Sequence, residues 1–242
     1  MTDLPLLSKF IVALTFICSL TINAPNGHAD NRRLLTHSSP TYLFAVGKLQ
    51  VPSQRQTGND NQHFIENCSA TLIDDHRAQL TWLLSAWHCF ENYHNLGRPI
   101  LLHMQDSTGK AYQRQVHIVK HGQSMQQDWA LLRTDIPLPR TLSALEMGNY
   151  SDGKVSIAGY SGDSQLGQDG AVLTYEENCS PSENTLDPRQ HSVSCTAYKG
   201  ASGGAVIQAG RIVGIISQGD NQGTASFVSH ATYADHVARY LP

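Results

Sequence analysis

The sequence is poor in charged residues and contains no block of like charge. Only 15% of the 242 residues are Asp, Glu, Lys or Arg, and 20 acidic against 17 basic residues leave a formal net charge of −3. Proteins that bind nucleic acid or an anionic membrane electrostatically concentrate basic residues on one surface. The composition therefore predicts no nucleic-acid partner and, once a leader is removed, no membrane partner.

The N-terminal apolar run is too short to span a bilayer. It covers Phe10–Ile22, 13 residues, follows Lys9, and precedes the small residues of Gly27-His28-Ala29. A membrane-spanning helix needs about 20 apolar residues, whereas a signal peptide has this order of charge, short apolar run and small residues. The pattern predicts a signal peptide over residues 1–29 and a secreted or periplasmic protein. The alternative is a buried N-terminal helix. Residues 30–40 are then an N-terminal extension or a short propeptide.

The sequence has no Cys-x-x-Cys pair. Beyond the predicted leader four cysteines remain, namely Cys68, Cys89, Cys179 and Cys195. An even number in an exported chain favours two disulfides, and of the three pairings the spacing suggests the local ones, 68 with 89 and 179 with 195. The alternative is a structural zinc site, which the scattered histidines disfavour. We expect no metal and no other cofactor.

Internal repeats and heptads are absent, and helical periodicity is confined to the C-terminus. There, Tyr233, Val237, Ala238 and Leu241 recur at three- and four-residue intervals, which predicts a terminal helix. Elsewhere short runs rich in Val, Ile, Leu, Thr and Tyr alternate with polar turns, from Tyr42–Val51 to Ser226–Val228. This pattern predicts an antiparallel all-β fold, either a sandwich or a barrel. The two prolines of Asp135–Arg140 predict a connector between two halves.

Three short segments carry the residue types of nucleophilic catalysis. They are Ser85-Ala86-Trp87-His88-Cys89, Asp128-Trp129-Ala130-Leu131-Leu132-Arg133 and Gly200-Ala201-Ser202-Gly203-Gly204. A serine hydroxyl needs an imidazole to accept its proton, and the imidazole needs an anion that fixes its tautomer. Glycines beside Ser202 allow the N–H groups of Gly200 and Ser202 to stabilise an oxyanion. Each residue alone is usually structural, but together they predict His88, Asp128 and Ser202 as a catalytic triad.

These motifs resemble those of the chymotrypsin-like (trypsin-fold) serine peptidases, in particular bacterial members. His88-Cys89, with Cys68-Ser69-Ala70-Thr71-Leu72-Ile73 upstream, is similar to the family's histidine loop and its disulfide. Asp128 before Trp-Ala-Leu-Leu resembles the aspartate segment, and Gly-x-Ser-Gly-Gly resembles the nucleophile loop. Gly214-Ile215-Ile216-Ser217-Gln218-Gly219 resembles the strand along which a substrate peptide pairs.

The resemblance implies two six-stranded antiparallel β-barrels packed together, with a C-terminal α-helix. Residues 41–139 would form the N-terminal barrel with His88 and Asp128, and residues 140–242 the barrel with Ser202. The implied function is an exported serine endopeptidase that cleaves a polypeptide substrate through an acyl-enzyme. One alternative is a non-catalytic polypeptide-binding protein on the same fold, and another is a histidine-rich metal- or haem-binding protein. The sequence carries no indication of oligomeric state.

Two departures from the family pattern matter for activation and specificity. Many relatives have an aspartate just before the nucleophile that pairs with a newly cut N-terminus, whereas this chain has Ala201. We therefore expect activity not to need a specific N-terminal cut. The resemblance puts Thr196 near the base of the primary specificity pocket. It puts five residues in the pocket walls: Ala197, Ser217, Gln218, Gly219 and Val228. This base has no acid and the Ile216 position no histidine, so we expect uncharged, small or medium side chains to be cleaved rather than Arg, Lys or Glu.

Overall fold

The computed structural model describes residues 30–58, 60–94, 97–183, 186–187 and 190–241. The predicted signal peptide, residues 1–29, lies outside the described residues. Within these ranges, none of the helices combines the length and the apolar character that a bilayer crossing requires.

The regular secondary structure of the described chain consists mainly of antiparallel strands. Its thirteen strands are β1 (Arg33–Leu34), β2 (Val46–Thr57), β3 (Asp60–Leu72), β4 (Leu80–Ser85), β5 (Ile100–Gln105), β6 (Ala111–His121), β7 (Ala130–Leu138), β8 (Val155–Gly159), β9 (Thr174–Cys179), β10 (His191–Val193), β11 (Ala205–Gln208), β12 (Arg211–Gly219) and β13 (Ala225–Ser229). Three 3-10 helices, Thr41–Ala45, Trp87–Phe90 and His230–Thr232, and one short α-helix, α1 (Ala234–Val237), complete the secondary structure.

Strands β2–β7 close into a barrel in the order β2-β3-β4-β7-β6-β5. The alternation of buried and partly exposed side chains explains how the sequence fills it. In β5, for example, Ile100, Leu102 and Met104 are buried, whereas the residues between them are partly exposed. Because successive side chains of a strand point to opposite faces, one face of each strand supplies the barrel interior. We call this unit the first barrel.

The second half of the chain forms a seven-stranded antiparallel sheet in the order β1-β9-β8-β11-β12-β13-β10. Six of its strands, β8–β13, come from the second half, and β1 adds the N-terminal segment at the edge through Arg33 opposite Tyr175. We call this unit the second sheet. The predicted all-β fold with two β-barrel halves is confirmed, with the first barrel closed and the second a half-barrel sheet.

Two details of the predicted strand map are wrong. The proline-containing segment expected as a connector belongs to β7 as far as Leu138. Pro137 is tolerated there because the ladder of β7 with β6 ends at Thr134, and the ladder with β4 is irregular before Leu138. The run Tyr42–Val51 begins as a 3-10 helix, Thr41–Ala45, and becomes a strand only at Val46.

The predicted C-terminal helix is confirmed, although it is short. Val237 of α1 is fully buried, and the rings of Tyr233 and His236 lie 5.9 and 5.5 Å from the ring of Trp129. Trp129 is itself buried in the core and directly follows Asp128. The C-terminal segment therefore packs behind the predicted aspartate of the triad.

Candidate active site

His88 and Asp128 are brought together by the pairing of β4 with β7. Ser85 at the end of β4 lies opposite Ala130 at the start of β7, so the residues just beyond these positions are neighbours. The Nδ1 of His88 lies 2.7 Å from Oδ2 of Asp128, and the backbone N–H of His88 donates to Oδ1 at 2.8 Å. The Asp128 carboxylate is completely buried, whereas the His88 side chain is 26% exposed.

The 3-10 helix that carries His88 is tied to β3 by a disulfide between Cys68 and Cys89. A second disulfide joins Cys179, at the end of β9, to Cys195, which directly precedes Thr196. These are the two local pairs that the spacing of the cysteines suggested.

The pKa of His88 is raised above its usual 6.5. Burial of the ring lowers the pKa, but the hydrogen bond and the charge of Asp128 raise it by more, and the carboxylates of Glu66 and Glu91 add to this increase. The imidazole is therefore a stronger base than an isolated histidine, as a proton acceptor requires.

Ser217 contributes a third hydrogen bond to Asp128, which sequence reasoning missed. Its hydroxyl donates to Oδ2 at 2.5 Å. Ser217 lies at a bulge in β12, where Ile216 pairs with Phe227 and Gln218 pairs with Ser226. A bulge redirects a side chain from its regular position, and Ser217 was expected only as a wall of the specificity pocket.

Gln190 fixes the direction of that hydrogen bond. Its amide nitrogen donates to the carbonyl of Met125 at 2.7 Å and to the Ser217 hydroxyl at 3.0 Å. Because an amide N–H₂ only donates, the hydroxyl proton of Ser217 is left to point at Asp128. No sequence signal distinguishes Gln190 from an ordinary polar residue.

Ser202 lies in a turn, residues 198–204, which we call the nucleophile turn. Its hydroxyl donates to the carbonyl of Ser217 at 3.3 Å, and in the part of the chain that the structure describes it has no hydrogen bond with His88. Both side chains nevertheless line one cavity of about 240 Å³, the histidine cavity. The structure thus joins His88 directly to Asp128 and brings Ser202 into the same cavity.

The two N–H groups on either side of Ala201 in the nucleophile turn are available. Ala201 N–H donates to Tyr198 and Gly203 N–H to Ile216, whereas those of Gly200 and Ser202 have no partner among the described residues. Gly200 has φ +97°, and a Cβ there would lie 2.5 Å from the carbonyl oxygen of Tyr160. Only glycine fits this position, and the two free donors are those expected for an oxyanion hole.

Ser69 connects the nucleophile turn to the first barrel. Its backbone N–H donates to the Ser202 carbonyl at 2.8 Å, and its hydroxyl donates to the Gly200 carbonyl at 2.8 Å. The same hydroxyl accepts the N–H of Tyr160 at 2.9 Å. This fully buried serine therefore fixes the peptide groups around both free donors.

Ser202 also lines a second cavity, of about 280 Å³, which we call the primary cavity. Its lining contains three of the predicted specificity residues together with others: Ala197, Tyr198, Lys199, Ser202, Ile216, Gln218, Gly219 and Asn221. Thr196 and Ser217 are buried behind this lining, and Thr196 N–H donates to the buried carboxylate of Glu176 at 2.8 Å. Val228 lies in the core.

No group of three His, Cys, Asp or Glu side chains close enough to hold a metal ion occurs among the described residues.

Comparison with known proteins identifies a family and a fold. The model of the trypsin-like peptidase domain matches residues 68–215. No curated protein matches the sequence. Two inactivated protease paralogues of the scabies mite have similar structures. The first has 13% sequence identity and a TM-score of 0.59, and the similarity covers 87% of this chain and 98% of that one. The second has 14% identity and a TM-score of 0.62, with coverage of 88% of this chain and 97% of that one. The structure of a thermostable serine protease from an extremophilic microorganism is also similar, with 12% sequence identity and a TM-score of 0.62. The similarity covers 84% of this chain and 99% of that one.

Proposed function

Because the chain belongs to the trypsin-like peptidase domain family, we propose that it is an exported serine endopeptidase that hydrolyses polypeptides through an acyl-enzyme. One observation carries the proposal. Ser202 lines two cavities, and one of them is also lined by His88, whose imidazole is bonded to the buried carboxylate of Asp128. A polypeptide could place residues on both sides of its scissile bond in these cavities.

In the proposed reaction, the Ser202 hydroxyl turns from the Ser217 carbonyl towards His88 and attacks the scissile carbonyl carbon. His88 accepts the proton of the hydroxyl, and Asp128 stabilises the resulting imidazolium. The N–H groups of Gly200 and Ser202 stabilise the oxyanion. His88 then donates its proton to the leaving amine, and water hydrolyses the acyl-enzyme by the reverse sequence of proton transfers.

Export is supported by the cysteines and by the N-terminal sequence. Disulfides persist in oxidising compartments, and Cys68–Cys89 and Cys179–Cys195 are both formed. We therefore propose that residues 1–29 are a cleaved signal peptide. In the exported protein, residues 41–139 would form the half with His88 and Asp128, and residues 140–242 the half with Ser202.

The proposed primary specificity is for uncharged side chains of small or medium size. Ala197, Gly219 and Ile216 offer apolar or backbone surface to the primary cavity, and among the described residues neither Asp nor Glu lines it. Lys199 does line it, but its side chain is 82% exposed and its ammonium group is already paired with Glu66. A buried unpaired charge in such a cavity is unfavourable, so Arg, Lys, Asp and Glu should be poor residues before the cleaved bond.

The test is the cleavage of a denatured protein by the purified protein and by Ser202→Ala. We expect cleavage sites after small and medium uncharged residues, and a loss of kcat on the order of 10⁶-fold in the variant. Ser151→Ala, at an exposed serine outside both cavities, is the matched control and should keep full activity. Equal activity in Ser202→Ala would contradict the mechanism.

The same experiment separates the second candidate, a non-catalytic polypeptide-binding protein. Two of the similar structures are inactivated proteases, so the fold does occur without activity. Saturable binding of the denatured protein with no turnover by the unmutated chain would favour this candidate and reject the peptidase.

A further inference from the structure

Arg32 is a buried cation in the N-terminal segment. Only 2% of its side chain is exposed, and its guanidinium bonds Asp30 through Nε at 2.9 Å and Nη2 at 2.6 Å. Its Nη1 donates to Oδ2 of Asp163 at 2.7 Å, and the guanidinium carbon lies 4.3 Å from the centre of the Tyr198 ring. A buried charge requires such partners, and removing one partner strongly destabilises the charge that remains.

The segment that carries Arg32 is anchored to the second sheet. Arg33 and Leu34 form β1 and pair with β9, and the N–H of Leu35 donates to the carbonyl of Leu173 at 3.0 Å. The guanidinium is therefore delivered to its partners by a fixed backbone.

The two partners of Arg32 outside its own segment lie on two chain segments that meet at the nucleophile turn. Asp163 accepts the N–H of Gly167 at 3.2 Å, which shapes the segment 162–167. Gly162 N–H donates to the Lys199 carbonyl at 2.6 Å, and Ala201 N–H donates to the Tyr198 carbonyl at 3.0 Å. Arg32 thus contacts a neighbour of each partner in the hydrogen bond between Gly162 and Lys199: Asp163 follows Gly162, and Tyr198 precedes Lys199.

Ala201 leaves the nucleophile turn without a carboxylate of its own beside Ser202. Arg32 and Ala201 line the same small cavity, together with Gly159 and Ser161. The cation therefore lies behind the turn that presents the Gly200 and Ser202 donors, while its acidic partner, Asp163, belongs to the neighbouring segment.

We propose that Arg32 is a positioning residue for the oxyanion hole, which it acts on through Asp163 and Tyr198. The inference rests on the proposed function, because it names how that site is held in its active form. Since the cation is a side chain, no free amino group at residue 30 is needed. Residues 30–34 are consequently a permanent part of the active protein and not a removable propeptide.

The experiment compares Arg32→Met with Arg33→Met. Arg33 is adjacent and of equal charge, but its side chain is 65% exposed and pairs at the surface with Glu177. Hydrogen exchange measured by mass spectrometry should increase in segments 161–170 and 197–204 of Arg32→Met and remain unchanged in Arg33→Met. In the same preparations, kcat should fall about 10²- to 10³-fold with little change in KM for Arg32→Met alone.

Several results would overturn the inference. Exchange and kcat of Arg32→Met equal to those of the unmutated protein would do so, as would a uniform increase in exchange across both halves, because Arg32 would then stabilise the whole fold. If Arg32→Met does not fold, Asp163→Asn replaces it in the experiment, because this variant retains the guanidinium and its contact with Asp30. We expect the same increase in exchange and the same decrease in kcat for Asp163→Asn. If the unmutated protein has no turnover, the proposed function fails, and the exchange data still decide the role of Arg32.

Discussion

At the scale of single residues, the geometry around Asp128 determines which nitrogen of His88 is free to act. The carboxylate accepts hydrogen bonds from the backbone N–H of His88, from its Nδ1 and from the Ser217 hydroxyl. A fully buried carboxylate is tolerated because these donors replace water. With the Nδ1 proton held by Asp128, Nε2 remains as the proton acceptor.

The raised pKa of His88 gives a pH dependence of activity. Only the neutral imidazole accepts a proton, so kcat/KM should increase with pH and reach half its plateau above pH 6.5, the usual pKa of histidine. Asp128→Asn removes the main cause of the upward shift, so the midpoint should move to lower pH while kcat falls about 10⁴-fold. A pH profile of kcat/KM for both proteins measures this, and an unmoved midpoint would contradict the account.

As the pH rises, the raised pKa of His88 affects stability in the opposite direction to activity. A group whose pKa is higher in the folded state stabilises the fold fully below its unfolded pKa, here 6.5, and this contribution is lost as the pH rises through the folded pKa. The His88–Asp128 pair therefore contributes most to the free energy of unfolding under acidic conditions, where the activity is lowest.

At the scale of elements, the two disulfides close loops of similar length but support different parts of the site. The paired cysteines are separated by 21 positions in the first and 16 in the second, so each should stabilise the fold by about 3 kcal/mol through the unfolded state. Cys89 is adjacent to His88, whereas Cys195 is adjacent to Thr196, behind the primary cavity.

We therefore expect the two double variants to lose similar stability and to differ in their kinetics. Cys68→Ala with Cys89→Ala should mainly lower kcat, because the 3-10 helix of His88 loses its tie to β3. Cys179→Ala with Cys195→Ala should mainly raise KM. Urea unfolding and steady-state kinetics at a temperature where both variants are folded provide the measurement, and the same change in kcat for both would be evidence against this division.

The elements also indicate how far the sequence could predict the site. His88, Asp128 and the Gly-rich turn are recognisable because each role requires its residue type and its immediate neighbours. The contact of Ser217 with Asp128 was not predicted because its orientation depends on a bulge in β12, which the alternation of residues does not reveal. Gln190 and Arg32 act on the site through contacts far along the chain, 27 residues to Ser217 and 131 to Asp163. Such contacts exist only after segments that are distant along the chain have come together in the folded protein.

At the scale of the whole molecule, the candidate site is formed by hydrogen bonds that cross between the halves. The Ser69 hydroxyl of the first barrel bonds the Gly200 carbonyl, and the Ser217 hydroxyl of the second sheet bonds Asp128. Away from the site, the N–H of Asp74 donates to the Leu145 carbonyl at 2.9 Å. The alignment of Ser202 with His88 therefore depends on how the halves pack.

Ser69→Ala tests this dependence. The substitution removes the donor to the Gly200 carbonyl and the acceptor for Tyr160 N–H, and leaving buried polar groups unsatisfied costs about 1–3 kcal/mol. Ser192→Ala is the control, since it breaks a buried bond of 2.9 Å to Ser226 within the second sheet and lines neither cavity. Both variants should lose stability in thermal unfolding, but only Ser69→Ala should lower kcat, by more than about tenfold.

We propose above that Ser202 is a nucleophile activated by His88. The most direct test of this proposal is the reaction of the folded protein with a fluorophosphonate, followed by intact mass and peptide mapping. We expect one adduct per chain, located on Ser202 and absent from His88→Ala. An adduct at another residue, no adduct on freshly purified protein, or equal labelling of His88→Ala would contradict it.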